Sequence, residues 1–243
     1  MQCVFSRKGF DTSSGGGPSP IISGRPVSLP IPSSGPPETT YEDLGLGVQA
    51  NRASKGKIGR NNGCHHDPMF LSCGEALLGQ CGAAQTHLAN QGVAVGDVFL
   101  FFGLFKAEQE KPHHRIFGYL RVETILDLRR ADDRQWSELR ALKHPHVMAG
   151  QITNDTIYRG PGREARTAHP ALRLTVEEGP PSLWNKPRWL KRANLSYHDR
   201  EDRWLPGSRL KSVARGQEFV SRIGRGRQAR EWLENVIAAI DAE

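Results

Sequence analysis

The residues most able to do chemistry lie near the start of the chain, in the segment Ser6-Arg7-Lys8-Gly9-Phe10-Asp11. The apolar residues before it predict a short buried strand, which would deliver these polar side chains at its end. A glycine run, Gly15 to Gly17, follows and lets the backbone turn tightly and approach a ligand closely. Cations, a carboxylate and an open backbone together are typical of an anion or nucleotide site. The alternative interpretation is an exposed strand end with a flexible loop.

Two later segments carry residues that could complete such a site. Asp67 precedes Pro68, and the residue before a proline avoids helical backbone, so His66 and Asp67 could be presented at a cleft. The segment 215–220 resembles a strand that begins with polar residues and ends buried. Within it, Arg215 and Glu218 could form a plain ion pair, or a phosphate clamp with its orienting carboxylate.

Side-chain chemistry gives each candidate a role. Asp11 or Asp67 would act as general base or transition-state stabiliser, and His198 or His66 would move protons near neutral pH. Lys8 would serve as a cation, or as a nucleophile if burial lowered its pKa. The predicted catalytic residues are Lys8, Asp11, Asp67 and His198. The predicted nucleotide- or phosphate-binding residues are Ser6, Arg7, Gly15, Gly16, Gln85, Arg215, Gln217 and Glu218, with both arginines suited to bidentate phosphate contacts.

Composition limits the class of protein. The chain has 243 residues with 26 Gly and 16 Pro, which predicts abundant loops and disfavours an all-helical fold. A net charge of +7 suits nucleic acid, an acidic membrane surface or a phosphorylated small molecule. No run of about 18 apolar residues predicts a membrane span, and the first ten residues do not resemble a signal peptide. We therefore expect one domain over residues 1–243, a cytoplasmic location, no membrane partner, and four reduced cysteines.

The sequence carries no signature of a bound metal or cofactor. Cys64, His66, Cys73 and Cys81 lack the close pairs of a structural zinc site, and no C-x-x-C occurs. Phosphate-loop, dinucleotide-binding and zinc-deaminase motifs are also missing. The expectation is no cofactor and no metal site, with a loosely held metal near Asp11 or Asp67 left open.

Hydrophobic patterning predicts an α+β fold with a mixed or barrel-like sheet. Residues 98–105 form the most apolar run and predict a buried strand, which should pair with residues 116–122 as a hairpin. The loop between them should expose His113 and His114. Helices are predicted over residues 74–90, 132–142 and 228–240 and should cover the sheet.

The segment from Leu183 to Arg192 interleaves aromatic residues with cations. Trp184 and Trp189 could stack on bases while lysine and arginine meet phosphates. The same pattern also fits an arm that docks on the core and leaves its charges in solvent. The sequence leaves both interpretations open.

Several motifs together resemble the bacterial nucleotide modification associated domain 3 family. They are Ser6 to Asp11 with the following Gly-rich Pro-Ser-Pro, Gly82-Ala83-Ala84-Gln85, Gly96-Asp97 through Gly103, and Arg215 to Phe219. The resemblance runs from Val4 to about Leu233. It implies an α+β domain in a DNA base-modification system, with DNA or a nucleotide as partner. The favoured hypothesis is an enzyme that acts on a nucleobase or nucleotide, although the resemblance names no reaction.

A second resemblance concerns the central hairpin alone. Gly96-Asp97-Val98 through Phe105, followed by Ile116 to Val122, is similar to the hairpin of PUA-like barrels, the PUA, ASCH and EVE group. That likeness implies a non-catalytic reader that captures a modified or flipped base in a pocket. In such a reader Trp184, Trp189 and Gln85 would stack on the base and hydrogen-bond to it.

Overall fold

The computed structural model describes residues 1–33, 38–148, 153–214 and 218–242. Its strands are β1 (Gln2–Arg7), β2 (Ser19–Ile22), β3 (Arg25–Pro26), β4 (Met69–Phe70), β5 (Glu75–Gln80), β6 (Val98–Lys106), β7 (His113–Arg121), β8 (Thr124–Asp127), β9 (Thr156–Glu164), β10 (Leu183–Asn185), β11 (Trp204–Leu205), β12 (Arg209–Lys211) and β13 (Glu218–Arg222). Its α-helices are α1 (Gly47–Ala53), α2 (Gly82–Asn90), α3 (Asp133–Ala141), α4 (Pro145–Met148) and α5 (Arg227–Asp241).

The main sheet confirms the predicted α+β fold with a mixed sheet. Its strands run in the order β13-β1-β6-β7-β9-β5-β4 and curl into a half-barrel. The sheet is mixed because β1 pairs antiparallel with β13 and parallel with β6. A second, three-stranded sheet has the order β10-β12-β11. No helix among the described residues combines the length and apolarity that crossing a membrane requires.

The central hairpin is confirmed. β6 pairs antiparallel with β7, and every residue of β6 from Val98 to Phe105 is buried. Side chains alternate faces along the strand, so Leu100 and Phe102 join a core cluster with α5. Phe99 and Phe101 join a second cluster with Leu88 of α2. Both faces of the strand are therefore covered, which explains its continuous apolar sequence.

The C-terminal helix is also confirmed as α5. Its buried stripe, including Leu233, Val236 and Ile240, packs in the same cluster as Phe5 of β1. Trp184 lies in this cluster at 2% exposure, and Trp189 packs on Trp232 with ring centroids 5.4 Å apart. The aromatic residues of the 183–192 segment thus dock an arm on the core.

The helix predicted over residues 74–90 is wrong in its first half. Residues 75–80 form β5, which pairs antiparallel with β9, and the helix begins only at Gly82. Ala76 through Gln80 are all buried, and a short buried run cannot be assigned to strand or helix from periodicity alone. The correction has a consequence for function, because Gly79 and Gln80 end this strand at the site described below.

His113 and His114 are not the exposed loop residues that the sequence predicts. They begin β7, where they pair with Phe105 and Leu104 of β6. His113 is fully buried, and the His114 Nδ1 accepts a hydrogen bond of 3.0 Å from the Trp184 indole N–H. Burial, helped by the charge of Arg7, lowers the pKa of His114 to about 3. His114 is therefore neutral in the folded protein near pH 7.

Acid should destabilise the fold partly through His114. The unfolded side chain has a pKa near 6.5, so between that pH and about 3 the unfolded state binds more protons than the folded one. The contribution of neutral His114 to the free energy of unfolding is fully present above pH 6.5 and is lost progressively below it. The loss from His114 should reach at most about 3 kcal/mol by pH 4. His114→Asn keeps an acceptor for Trp184 but cannot titrate, so its unfolding free energy should fall less steeply with pH in urea titrations. The exposed His169→Asn should keep the wild-type slope, and equal slopes in all three proteins would contradict the assignment.

Candidate functional site

Lys8 lies at the centre of a buried cluster of charges where β1 ends. Its backbone N–H donates to the Phe102 carbonyl of β6 at 2.9 Å. Strand alternation places the side chains of Ser6 and Lys8 on one side, and the β1–β13 register puts Ser6 opposite Glu218. The Lys8 Nζ is 3.5 Å from Glu218 Oε1 and 3.8 Å from Asp67 Oδ2. The Lys8 side chain is 10% exposed, and both carboxylates are 1% exposed.

Neighbouring strands hold the two carboxylates in place. The Asp67 Oδ1 accepts the Gly79 N–H at 2.9 Å. The Glu218 Oε1 accepts the Ser6 hydroxyl at 3.0 Å and the side-chain amide of Gln80. The other oxygen of Glu218 is buried without a hydrogen-bond partner in the described part of the chain. The carboxylates are therefore fixed, while part of their hydrogen-bonding capacity stays unused.

The environments of Asp67 and Glu218 drive their pKa values apart. Burial acts to raise the pKa of Asp67, but Lys8 and the neighbouring histidines hold it below its usual value. Burial raises the pKa of Glu218, and Lys8 and Ser6 only partly oppose the rise. Asp67 is thus the ionised member and Glu218 the one that takes a proton more readily. Two carboxyls with separated pKa values are a common basis for acid and base roles.

Three histidines lie close to Asp67. The His65 Nε2 is 4.0 Å from Asp67 Oδ2, and the His144 Nε2 is 3.8 Å from Asp67 Oδ1. The His146 Nδ1 contacts Asp155 Oδ1 at 2.8 Å. Burial lowers the pKa of His65 and of His144 to about 4 each, so both rings are neutral near pH 7.

Gly79 provides the space for two of these rings. A Cβ placed on Gly79 would overlap the His146 ring and approach the His144 Cε1 at 2.8 Å. The backbone of Gly79 does not require a glycine, since its φ lies outside the left-handed region. The reason for glycine here is therefore the close approach of the imidazoles.

Gly79→Ala should displace the two imidazoles and destabilise the fold. Overpacking of a tight interior typically costs about 1–3 kcal/mol, and we expect a loss in that range from urea denaturation. Gly59→Ala is the matched control, because its Cβ would meet only the Asn62 Oδ1 at 3.4 Å. An alanine at position 79 with wild-type stability and unchanged histidine NMR shifts would show that the rings are not held as described.

A cavity of about 720 Å³ opens onto this cluster. Its lining includes Lys8, Asp67 and His146, with Lys143 among its exposed residues. A second cavity of about 340 Å³ also touches Lys8 and Asp67. The larger volume lies within the range of small-molecule sites, about 300–1,000 Å³. The buried charges can therefore reach a ligand the size of a nucleotide.

Arg7 and Asp11 line the larger cavity, and each side chain is partly hydrogen-bonded within the protein. The two terminal nitrogens of Arg7 donate to the carbonyls of Val213 and Ala214 at 2.8 Å each. The Asp11 Oδ1 accepts from the backbone of Ser13 and of Ser14, closing a turn. Both side chains thus form part of the cavity wall and are held there by hydrogen bonds within the protein.

Other predicted residues lie apart from the cluster. His198 is fully buried, with its Nδ1 2.8 Å from the Ser196 carbonyl and its Nε2 accepting the Val213 N–H. Gln85 accepts the Tyr158 hydroxyl at 3.0 Å and does not line the cavity. Gly15 and Gly16 form the Asp11 turn with positive φ values and are not among the lining residues. The candidates Arg215 and Gln217 lie outside the described residues.

Four residues of the site have no role predicted from the sequence: His65, His144, His146 and Asp155. The segment His144-Pro145-His146 follows α3 directly. Two histidines with one residue between them, and a second His-His-Asp segment at 65–67, were the signals available. Neither segment indicates that it meets the other, because the 76 residues between them form strands and helices of their own.

The chain was compared with known protein families, curated proteins and solved structures. A family profile described as nucleotide modification associated domain 3 matches residues 2–222. That span contains Lys8, Asp67, His146 and Glu218. No curated protein and no solved structure matches the chain. Because the profile covers nearly the whole chain and confirms the resemblance of its motifs, the chain belongs to the nucleotide modification associated domain 3 family.

Proposed function

We propose that this protein is an enzyme that acts on a nucleobase or nucleotide bound in the larger cavity. The observation that carries the proposal is the Lys8 ammonium held between two buried carboxylates, Asp67 and Glu218, at a cavity of nucleotide size. Membership of a family associated with nucleotide modification supplies the substrate class. A DNA base or a free nucleotide is the proposed partner, and a base within a duplex would have to be flipped out to enter.

The geometry of the charges favours a functional over a stabilising role. The Lys8 distances of 3.5 and 3.8 Å exceed the roughly 2.7–2.9 Å of strong charge-assisted hydrogen bonds. At such distances the attraction among Lys8, Asp67 and Glu218 is small compared with the free-energy cost of removing these three charged groups from water. Perturbed titratable groups at a cavity are typical of active sites. The Lys8 cluster fits that pattern.

Each member of the cluster has a role that follows from its position. The Lys8 ammonium would stabilise negative charge on a phosphate or on an oxygen of the base as the reaction proceeds. Asp67, ionised and part of the cavity lining, would accept a proton from the substrate or from a water molecule. Glu218 would hold Lys8 in position through its contact with the ammonium. We assign no phosphate contact to Arg7, because its two terminal nitrogens already donate to the carbonyls of Val213 and Ala214.

The alternative, a non-catalytic reader of modified bases, has less support. A reader would need aromatic faces on which to stack a base, and Trp184 and Trp189 pack on the core instead. Among the described residues that line the cavity, no Trp, Tyr or Phe occurs. We therefore propose the enzyme and treat binding without conversion as an outcome of its test.

Mass spectrometry of nucleosides tests the proposal directly. The protein is incubated with plain DNA, with DNA carrying modified bases, and with nucleotides, and each reaction is digested to nucleosides. We expect a changed nucleoside profile with wild-type protein and with Lys106→Met, an exposed lysine at the end of β6. Lys8→Met should leave the profile unchanged. Selective binding of one DNA without any change in its nucleosides would favour the reader and contradict the enzyme.

A further inference from the structure

The arrangement of His65, Asp67 and His146 has the donor set of a metal centre. One donor atom from each of the three residues lies within 4.8 Å of the others. Donors that share an ion at about 2.1 Å are themselves about 3–4 Å apart, so small side-chain rotations bring these three into range. The three residues also line the larger cavity. We propose that His65, Asp67 and His146 bind one divalent transition-metal ion whose remaining coordination positions face the cavity.

The residues behind the three ligands support this assignment. The His146 Nδ1 contacts Asp155 Oδ1 at 2.8 Å, which leaves Nε2 as the free nitrogen of the ring. Histidine ligands of protein metal sites are usually held in this way, with the other ring nitrogen hydrogen-bonded to a carboxylate. The Gly79 N–H fixes Asp67 Oδ1 at 2.9 Å, so the carboxylate is oriented from behind as well.

His144 provides an independent sign that the cluster lacks a partner. Its ring is fully buried, and neither of its nitrogens has a hydrogen-bond partner within the described part of the chain. Buried polar atoms are normally paired, and an unpaired one calls for an explanation such as a bound ion or water nearby. The His144 Nε2 lies 3.8 Å from Asp67 Oδ1, beside the proposed ion. A metal with bound water would supply hydrogen-bonding groups at this place.

The carboxylates beside the donor group also suit a cation. Asp67 belongs to the group, and Asp155 contacts its histidine His146 at 2.8 Å. Two histidines and one carboxylate with open positions are the donor set of non-haem iron(II) centres and also suit zinc, manganese or cobalt.

A second group of donors, Cys81, His146 and Asp155, shares one histidine with the first. It is the weaker candidate because its histidine and carboxylate already contact each other at 2.8 Å. The two groups make different predictions for Cys81, so an experiment can separate them.

Cobalt(II) titration of untagged, chelator-treated full-length protein tests the proposal. We expect visible d–d absorption that saturates at one equivalent per chain, and a rise in the melting temperature with added cobalt. His65→Gln and His146→Gln should abolish the saturable absorption. Asp155→Asn, which only loosens the orientation of His146, should weaken binding by about 10–100-fold. The controls His66→Gln, an adjacent histidine outside the donor group, and Cys81→Ser should bind cobalt as wild type does.

The decisive variant is His65→Gln, because His65 is the most exposed of the three ligands and its loss should be tolerated by the fold. Circular dichroism and melting in the absence of metal establish that each variant is folded. Wild-type protein that binds no cobalt, zinc, manganese or iron(II) would overturn the proposal. So would His65→Gln with wild-type affinity, or loss of binding in Cys81→Ser. The readout is metal binding, so its outcome does not depend on whether the proposed nucleobase chemistry is found.

Discussion

Lys8→Met should abolish product formation and lower the free energy of unfolding by about 3–5 kcal/mol. The substitution leaves the Asp67 and Glu218 carboxylates buried without the cation that lies 3.8 and 3.5 Å from them. Breaking a buried charge cluster from one side is strongly destabilising because the remaining charges are uncompensated. The measurements are urea denaturation and nucleoside mass spectrometry, with Lys106→Met as the exposed lysine control.

A second substitution separates the structural role of Lys8 from the proposed chemical one. Glu218→Gln keeps a side-chain oxygen that can accept from Ser6 and from Gln80, and it removes one of the two carboxylates. The double variant Lys8→Met/Glu218→Gln should therefore recover much of the lost stability and still form no product. If the double variant recovers activity together with stability, Lys8 is a structural residue and the proposed mechanism is wrong.

Asp67→Asn should reduce product formation by about 10²–10⁴-fold, the usual contribution of a general acid or base. The asparagine oxygen can still accept the Gly79 N–H at the Oδ1 position, so the local backbone should hold. At the Oδ2 position an amide N–H would face Lys8 and His65, where the native protein has an acceptor. The same variant should lose cobalt binding, because a proton acceptor and a metal ligand are removed together.

The controls for Asp67 are two other aspartates. Asp199 is exposed, and Asp199→Asn should match wild-type activity. Asp11 lines the cavity, but its Oδ1 accepts from the Ser13 and Ser14 N–H groups, which an asparagine oxygen can also do. Asp11→Asn should thus retain most activity. A loss in Asp11→Asn equal to that in Asp67→Asn would move the proposed proton acceptor to Asp11.

Local pattern in the sequence was enough for much of the fold. The buried run of β6 and its hairpin partner, and the amphipathic helix α5, follow from side-chain periodicity. The first half of the predicted helix over residues 74–90 is instead strand β5, because its sequence lacks the periodicity that separates a helix from a strand. Six residues that are almost all buried carry no periodicity, so pairing with β9 decided their conformation.

The site was predictable only as a set of candidate residues. Ser6, Lys8, Asp67 and Glu218 were singled out by type and by their place next to strands, and the fold brings these four together. His198 and Gln85 were predicted as site residues on the same grounds. In the structure they lie apart from the cluster, where His198 hydrogen-bonds to Ser196 and Gln85 to Tyr158. Side-chain chemistry alone could not separate these two outcomes.

The sequence by itself determined the family, the α+β class and the chemically capable residues, because motif and periodicity are local properties of the chain. The tertiary structure decided which of those residues meet. Ser6 and Glu218 are 212 positions apart and become neighbours through the register of β1 on β13. His146 reaches His65 only because Gly79 lets its ring approach the strand. Such contacts depend on strand order and on the space between elements, which no single segment encodes.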